Sequence, residues 1–197
     1  FVYGDLAGAL ELAQSALKAV RSDSQEAVWS LTQLSELYLA DGQFEAAKRT
    51  ALAAHQLMPE VPQPLAQLAR VAEARADFSA AIEFYRQANL LQTNPDYCLG
   101  ILRGALATAD LRQARRLRAI VSGLAKLDEL NGSLYARVFA EFRFLEGDLA
   151  GAERLARREL DRRPDIYSHS QLAWVLLAQG NVAAALPHAE RSMSTSS

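Results

Sequence analysis

Three histidines, a single cysteine and an uneven set of arginines are the side chains here with chemistry to offer. His55, His169 and His188 have no carboxylate or cysteine beside them at ligand spacing, and the sequence contains no H-E-x-x-H, no glycine-rich phosphate loop and no nucleophile elbow. They are expected to be structural or surface histidines. Cys98 alone excludes an internal disulfide and a thiolate cluster, and is expected to be buried and unreactive. No catalytic set assembles, so no catalytic residue, cofactor or metal is assigned and the chain is expected not to be an enzyme. The arginines pose a different question. Arg112, Arg115, Arg116 and Arg118 fall in one helical run, and Arg154, Arg157, Arg158, Arg162 and Arg163 in another. Between residues 100 and 163 lie 13 of the 21 basic side chains, against 9 acidic ones. Such a stripe can neutralise phosphates. Glu153, Glu159 and Asp161 interrupt it, however, and arginine is a good helix former on any solvated face. Nucleic acid and anionic membrane are therefore the disfavoured alternative.

What positions these side chains is a recurring two-helix unit. Leu31, Leu34, Leu37 and Tyr38 place one apolar face at helical spacing, Asp41-Gly42 interrupts it, and a second run starts at Phe44 and stops before Pro59. Its small residue recurs as Ala9, Ala47, Ala81, Ala114, Ala152 and Ala185, each three residues after Leu6, Phe44, Phe78, Leu111, Leu149 or Val182. Immediately before those apolar residues stand Asp5, Gln43, Asp77, Asp110, Asp148 and Asn181, mostly short acceptors suited to a helix start. Gly4, Gly42, Ala76, Ala109, Gly147 and Gly180 precede them in turn.

On these residues the chain resembles the tetratricopeptide-repeat (TPR) family, with a period near the ~34 residues typical of it. The fullest match runs through Leu31, Leu34, Ser35, Tyr38, Gly42, Ala47, Ala51 and Pro59, and the stretch from Arg163-Pro164 through Leu172-Ala173-Trp174 to Gly180 is similar to uncharacterised bacterial repeat proteins. The resemblance implies an all-α fold, an α-solenoid of stacked antiparallel helix pairs wound into a superhelix. A single array over 1–197 is expected: a leading second helix at 1–21, then helix pairs at 28–61, 62–94, 95–131, 133–165 and 166–197. In the third pair Leu102 and Arg118 depart from the family pattern, and its second helix is expected to run long to the Asn131-Gly132 turn. Pro187 is expected to kink the last helix. In the family the first helices line a concave groove. Carrying those positions over assigns partner binding to Trp29, Thr32, Glu36, Gln63, Arg70, Asp96, Leu99, Arg103, Arg137, Glu141, Tyr167, Ser170 and Trp174. Arg70 and Arg103 are expected to project free into that groove as hot spots for a carboxylate. Thr32, Glu36, Ala66 and Arg70 stand where chaperone-binding relatives place their carboxylate clamp, which disfavours a chaperone-tail adaptor.

Composition agrees with a helical scaffold. Half the residues are hydrophobic, much of that fraction being alanine, and mean hydropathy is near zero. No apolar run approaches the ~20 residues of a spanning helix. A net charge of −2 gives no general affinity for polyanions. The expected function is thus a non-catalytic protein–protein interaction scaffold holding a peptide or protein segment in its groove. The alternatives are polyanion binding through the basic middle, or service as a regulatory module of a larger enzyme or secretion assembly. Phe1 to Arg21 reads as a second helix without its first, and no polar capping helix follows the last pair, so a fragment of a longer array, with self-association through uncapped ends, is expected. The cytoplasm is the expected compartment, with periplasm or secretion left open by the lone cysteine.

Overall fold

A computed structural model describes residues 5–193, and within them eleven α-helices and no strand. They are α1 (Leu6–Ala19), α2 (Gln25–Ala40), α3 (Phe44–Leu57), α4 (Pro62–Ala74), α5 (Phe78–Leu91), α6 (Pro95–Ala107), α7 (Leu111–Leu130), α8 (Ala136–Leu145), α9 (Leu149–Arg162), α10 (Ile166–Ala178) and α11 (Val182–Met193). Gly4 and the serines from 194 onward lie outside the described residues. The chain divides into two compact units: Leu6–Ile120, and a second from Val121 on, the division falling inside the long α7. In the first unit α1 to α6 pack each on its neighbour, and α2 also touches α4. In the second, α8 to α11 do the same, and α8 touches α10. First helices thus stack on first helices, as a TPR arrangement requires.

The short acceptors do what their chemistry predicts. The carboxylates of Asp77, Asp110 and Asp148 accept from the backbone N–H three residues on, at 2.9–3.1 Å, and the Asn181 side chain accepts from Ala184 N–H at 3.2 Å. Each satisfies a donor that the helix start leaves without an intrahelical partner. Gln43, with a longer side chain, makes no such cap. The turns before them need a left-handed residue, which Gly42, Gly147 and Gly180 supply at φ of 74° to 79°. Ala76 and Ala109 hold the same conformation at 59° and 56°, where a Cβ is a burden.

The alanine register marks where backbones approach. Ala47, Ala81, Ala114 and Ala152 are fully buried and Ala185 is 5% exposed, whereas Ala9 is half-buried. Ser35 Oγ donates to Ala47 O at 2.7 Å, stitching α2 to α3. The glycine pair of α6 serves the same end: a Cβ on Gly104 would stand 2.6 Å from Ile82, and one on Gly100 would collide with the Tyr85 ring. α6 can therefore lie close on α5. Cys98 is buried beside Asn89, and burial raises its thiol pKa, which keeps it protonated. α11 continues through Pro187, whose ring nitrogen has no proton to donate.

Candidate partner-binding surface

In the N-terminal unit the assigned groove residues separate into three groups. Trp29 is 64% exposed on α2, and Gln63 is exposed at the start of α4. Neither packs away as an inter-repeat spacer. Thr32 and Leu99 are buried, Thr32 turning its hydroxyl back to Val28 O at 2.7 Å, so neither can line an open surface. These two assignments are corrected: their places on the helix face inward. The third group is the arginines. Arg70 Nη2 donates to Asp96 at 2.9 Å, with Glu36 close enough on α2 to act on the same guanidinium. Arg103 grips Glu73 with two bonds, Nε to Oε1 at 3.0 Å and Nη2 to Oε2 at 2.9 Å. Glu73 also accepts from the hydroxyl of the buried Tyr85 at 2.8 Å. Burial raises the Tyr85 pKa, Glu73 adds to the rise, and Arg103 and Arg70 oppose it. The expectation of free arginines is therefore corrected. Arg70 and Arg103 tie α4 to α6, and removing either breaks an existing bond.

The C-terminal unit repeats that device. Arg137 on α8 donates to the Asp165 carboxylate at 3.0 Å and to Ser168 Oγ at 3.2 Å, lies 3.5 Å from the buried Glu159, and stacks over Tyr167 with 5.6 Å to the ring centroid. Burial alone would raise the Asp165 pKa, but the Ser168 N–H and the charge of Arg137 outweigh it and hold the carboxyl below its usual value. Beyond this clasp the surface is apolar. Trp174, 64% exposed on α10, borders a groove of about 290 Å3 with Glu141, Phe144 and Gln171. On its other side, Trp174 and Ser170 border a second groove of about 400 Å3 with Leu177, Val182, Leu186 and Met193. The structure thus gathers Glu141, Ser170 and Trp174 around one indole and draws Arg137 and Tyr167 into the clasp.

The outer arginines also differ between units. Arg157 pairs with Glu153, Arg163 faces Glu159, and Arg158 and Arg162 donate to Ser133. In the N-terminal unit Arg86, Arg112 and Arg116 border a cleft of about 490 Å3 on α5, α6 and α7, where Arg86 donates to Gln113 at 2.6 Å.

One cluster escapes a reading along the chain. His169 Nδ1 and His188 Nδ1 stand 2.9 Å apart, their rings 5.2 Å between centroids, joining α10 to α11. Both imidazoles are held below their ordinary pKa. Burial is the main cause for each; Arg191 adds to it at His169, and His169, Arg191 and Arg157 add to it at His188. The signal available in the sequence was the hairpin register, which sets a residue near the start of one helix against one near the end of the next. Among the described residues no third histidine, cysteine or carboxylate completes a metal-binding group there.

No protein-family model and no curated protein matches the sequence. Solved structures do match the fold. A thermophilic TPR protein of Thermus thermophilus aligns with a TM-score of 0.64 at 19% identity, over 85% of this chain and 90% of its own. YrrB, described as a TPR protein with an unusual peptide-binding site, aligns at 0.54 and 13% identity, over 94% and 92%. Human IFIT1, solved as a dimer with PPP-AAAA, aligns at 0.54 and 16% over 95% of this chain and 50% of its own, so this chain spans half the length of that one. These likenesses show the fold, a TPR-type stack of antiparallel helix pairs. On that fold this chain carries its arginine clasps and its exposed indoles.

Proposed function

We propose that this protein is a non-catalytic scaffold that holds a peptide or protein segment, and that the surface around Trp174 is its principal contact. One observation carries the reading: a large aromatic side chain stands 64% exposed with an apolar groove on either side. Covering that indole would remove enough apolar surface from water to contribute roughly 2–4 kcal/mol, the scale of an interface hot spot. The segment it suits carries apolar side chains for the two grooves and a hydrogen-bond donor or positive charge for Glu141. Peptide binding by YrrB, a protein of the same fold, is consistent with this use. No helix among the described residues is long and apolar enough to cross a membrane.

Site-specific cross-linking tests the proposal. A benzophenone amino acid at Phe144 or Leu177 should capture a discrete partner whose cross-linked peptide is apolar and basic, and the same probe at Arg115 should not. Capture only from Arg115 would overturn it. A second reading has its own observation, the cleft bordered by Arg86, Arg112 and Arg116, and a polyanion is the ligand that three guanidiniums would recognise. Labelled oligonucleotides should then bind with an affinity that falls steeply as salt rises, and Arg112→Glu with Arg116→Glu should abolish it. Flat titrations at low salt would remove this reading.

A further inference from the structure

His169 and His188 together place two ring nitrogens 2.9 Å apart at a partly exposed point between α10 and α11. In the repeat register they stand where Leu65 and Phe84 stand in the second helix pair, so polar rings occupy positions that are apolar there. One shared proton satisfies the pair when metal is absent, since one neutral ring donates from Nδ1 and the other accepts. The spacing also suits an ion. Two imidazole nitrogens bound side by side at about 2.05 Å lie about 2.9 Å apart on a tetragonal ion and about 3.3 Å apart on a tetrahedral one.

We propose that His169 and His188 form a two-imidazole chelate for a tetragonal divalent transition-metal ion, Cu(II) or Ni(II), which fastens α11 to α10. Water completes the coordination shell from the exposed side. The chemistry balances without an added reactant: the ring that carries its proton on Nδ1 shifts it through water to Nε2, both Nδ1 lone pairs coordinate, and no net proton leaves. The surrounding charges set the conditions. Arg191 on α11 and Arg157 on α9 oppose a cation, and Asp165 at the start of α10 favours one. Imidazole coordinates through a lone pair, so protons compete with the ion for the same nitrogens.

Isothermal titration of the untagged full chain with nickel chloride at pH 7.5 tests this. One ion should bind per chain, the heat should not depend on the buffer's ionisation enthalpy, and His169→Gln or His188→Gln should each weaken binding at least tenfold. His55→Gln should leave it unchanged. A readout on the wild-type chain avoids any variant that folds poorly: of the three histidine ring signals in the NMR spectrum, nickel should broaden two and spare His55. No heat of binding, binding that survives both glutamine variants, or broadening of His55 alone would overturn the proposal.

Discussion

Glu73 is the acceptor on which the α4, α5 and α6 contact converges, so Glu73→Ala should be costly to stability. The substitution removes both bonds from Arg103, whose side chain is 27% exposed against 17% for Glu73, and takes the acceptor from the Tyr85 hydroxyl, whose residue is 1% exposed. Losing the charge-assisted pair should cost about 1.5–3 kcal/mol, and stranding the phenol donor adds about 1–3 kcal/mol, with partial relief from water at the Arg103 end. A net loss of about 2–4 kcal/mol follows. Because Trp29 lies in the N-terminal unit and Trp174 in the other, a Trp174→Phe background leaves one indole to report on the affected unit in urea. There the midpoint should fall by about 1–2 M. A double-mutant cycle with Arg103→Ala should give a coupling of at least about 1 kcal/mol. A loss below about 0.5 kcal/mol with no coupling would refute the view that these arginines are structural clasps, and would return Arg103 to the groove as a free side chain.

Three further outcomes follow from the packing and the turns. Ala152→Leu, at a fully buried helix contact, and Gly100→Ala, under the Tyr85 ring, should each destabilise by about 1–3 kcal/mol in thermal melts, whereas Arg157→Ala should change stability by no more than about 0.5 kcal/mol. Ala76→Gly and Ala109→Gly, which relieve a Cβ at positive φ, should each raise stability by about 0.5–1 kcal/mol, and a loss for both would contradict the turn geometry. The third concerns acid. With both His169 and His188 held below the ordinary imidazole value of 6.5, the unfolded chain takes up protons first, so their contribution is full above that pH and declines as pH falls through it toward the folded values. Hydrogen exchange in α11 should accelerate over that window, and His188→Gln should flatten the dependence.

The repeat was legible because backbone chemistry repeats locally. Alanines at the helix contacts, acceptors one residue before each second helix, and glycine before those acceptors are all signals within a few positions of each other. The site was only partly legible, because its interactions join residues far apart in sequence. Arg70 finds Asp96 26 residues on, Arg103 reaches back 30 to Glu73, and Arg137 reaches forward 28 to Asp165. None of these separations equals the repeat period, since each arginine extends along the stack to a carboxylate on a different turn of the neighbouring helix. Equivalence of position therefore aligned these arginines with one another and missed their pairing. The two histidines, 19 residues apart on separate helices, were hidden for the same reason. Ala76 and Ala109 show another gap: they take the left-handed conformation that glycine supplies in the equivalent turns, and their side chains give no hint of it.

Whether a partner is held at the Trp174 surface is read from the affinity of the cross-linked partner for Trp174→Ala. Loss of the indole should weaken binding at least tenfold, and by about a hundredfold if the whole exposed ring is covered, while circular dichroism and the melting temperature stay unchanged. Unchanged affinity in a folded Trp174→Ala protein, with binding lost instead on Arg112→Glu and Arg116→Glu, would contradict the account and assign the function to the arginine cleft.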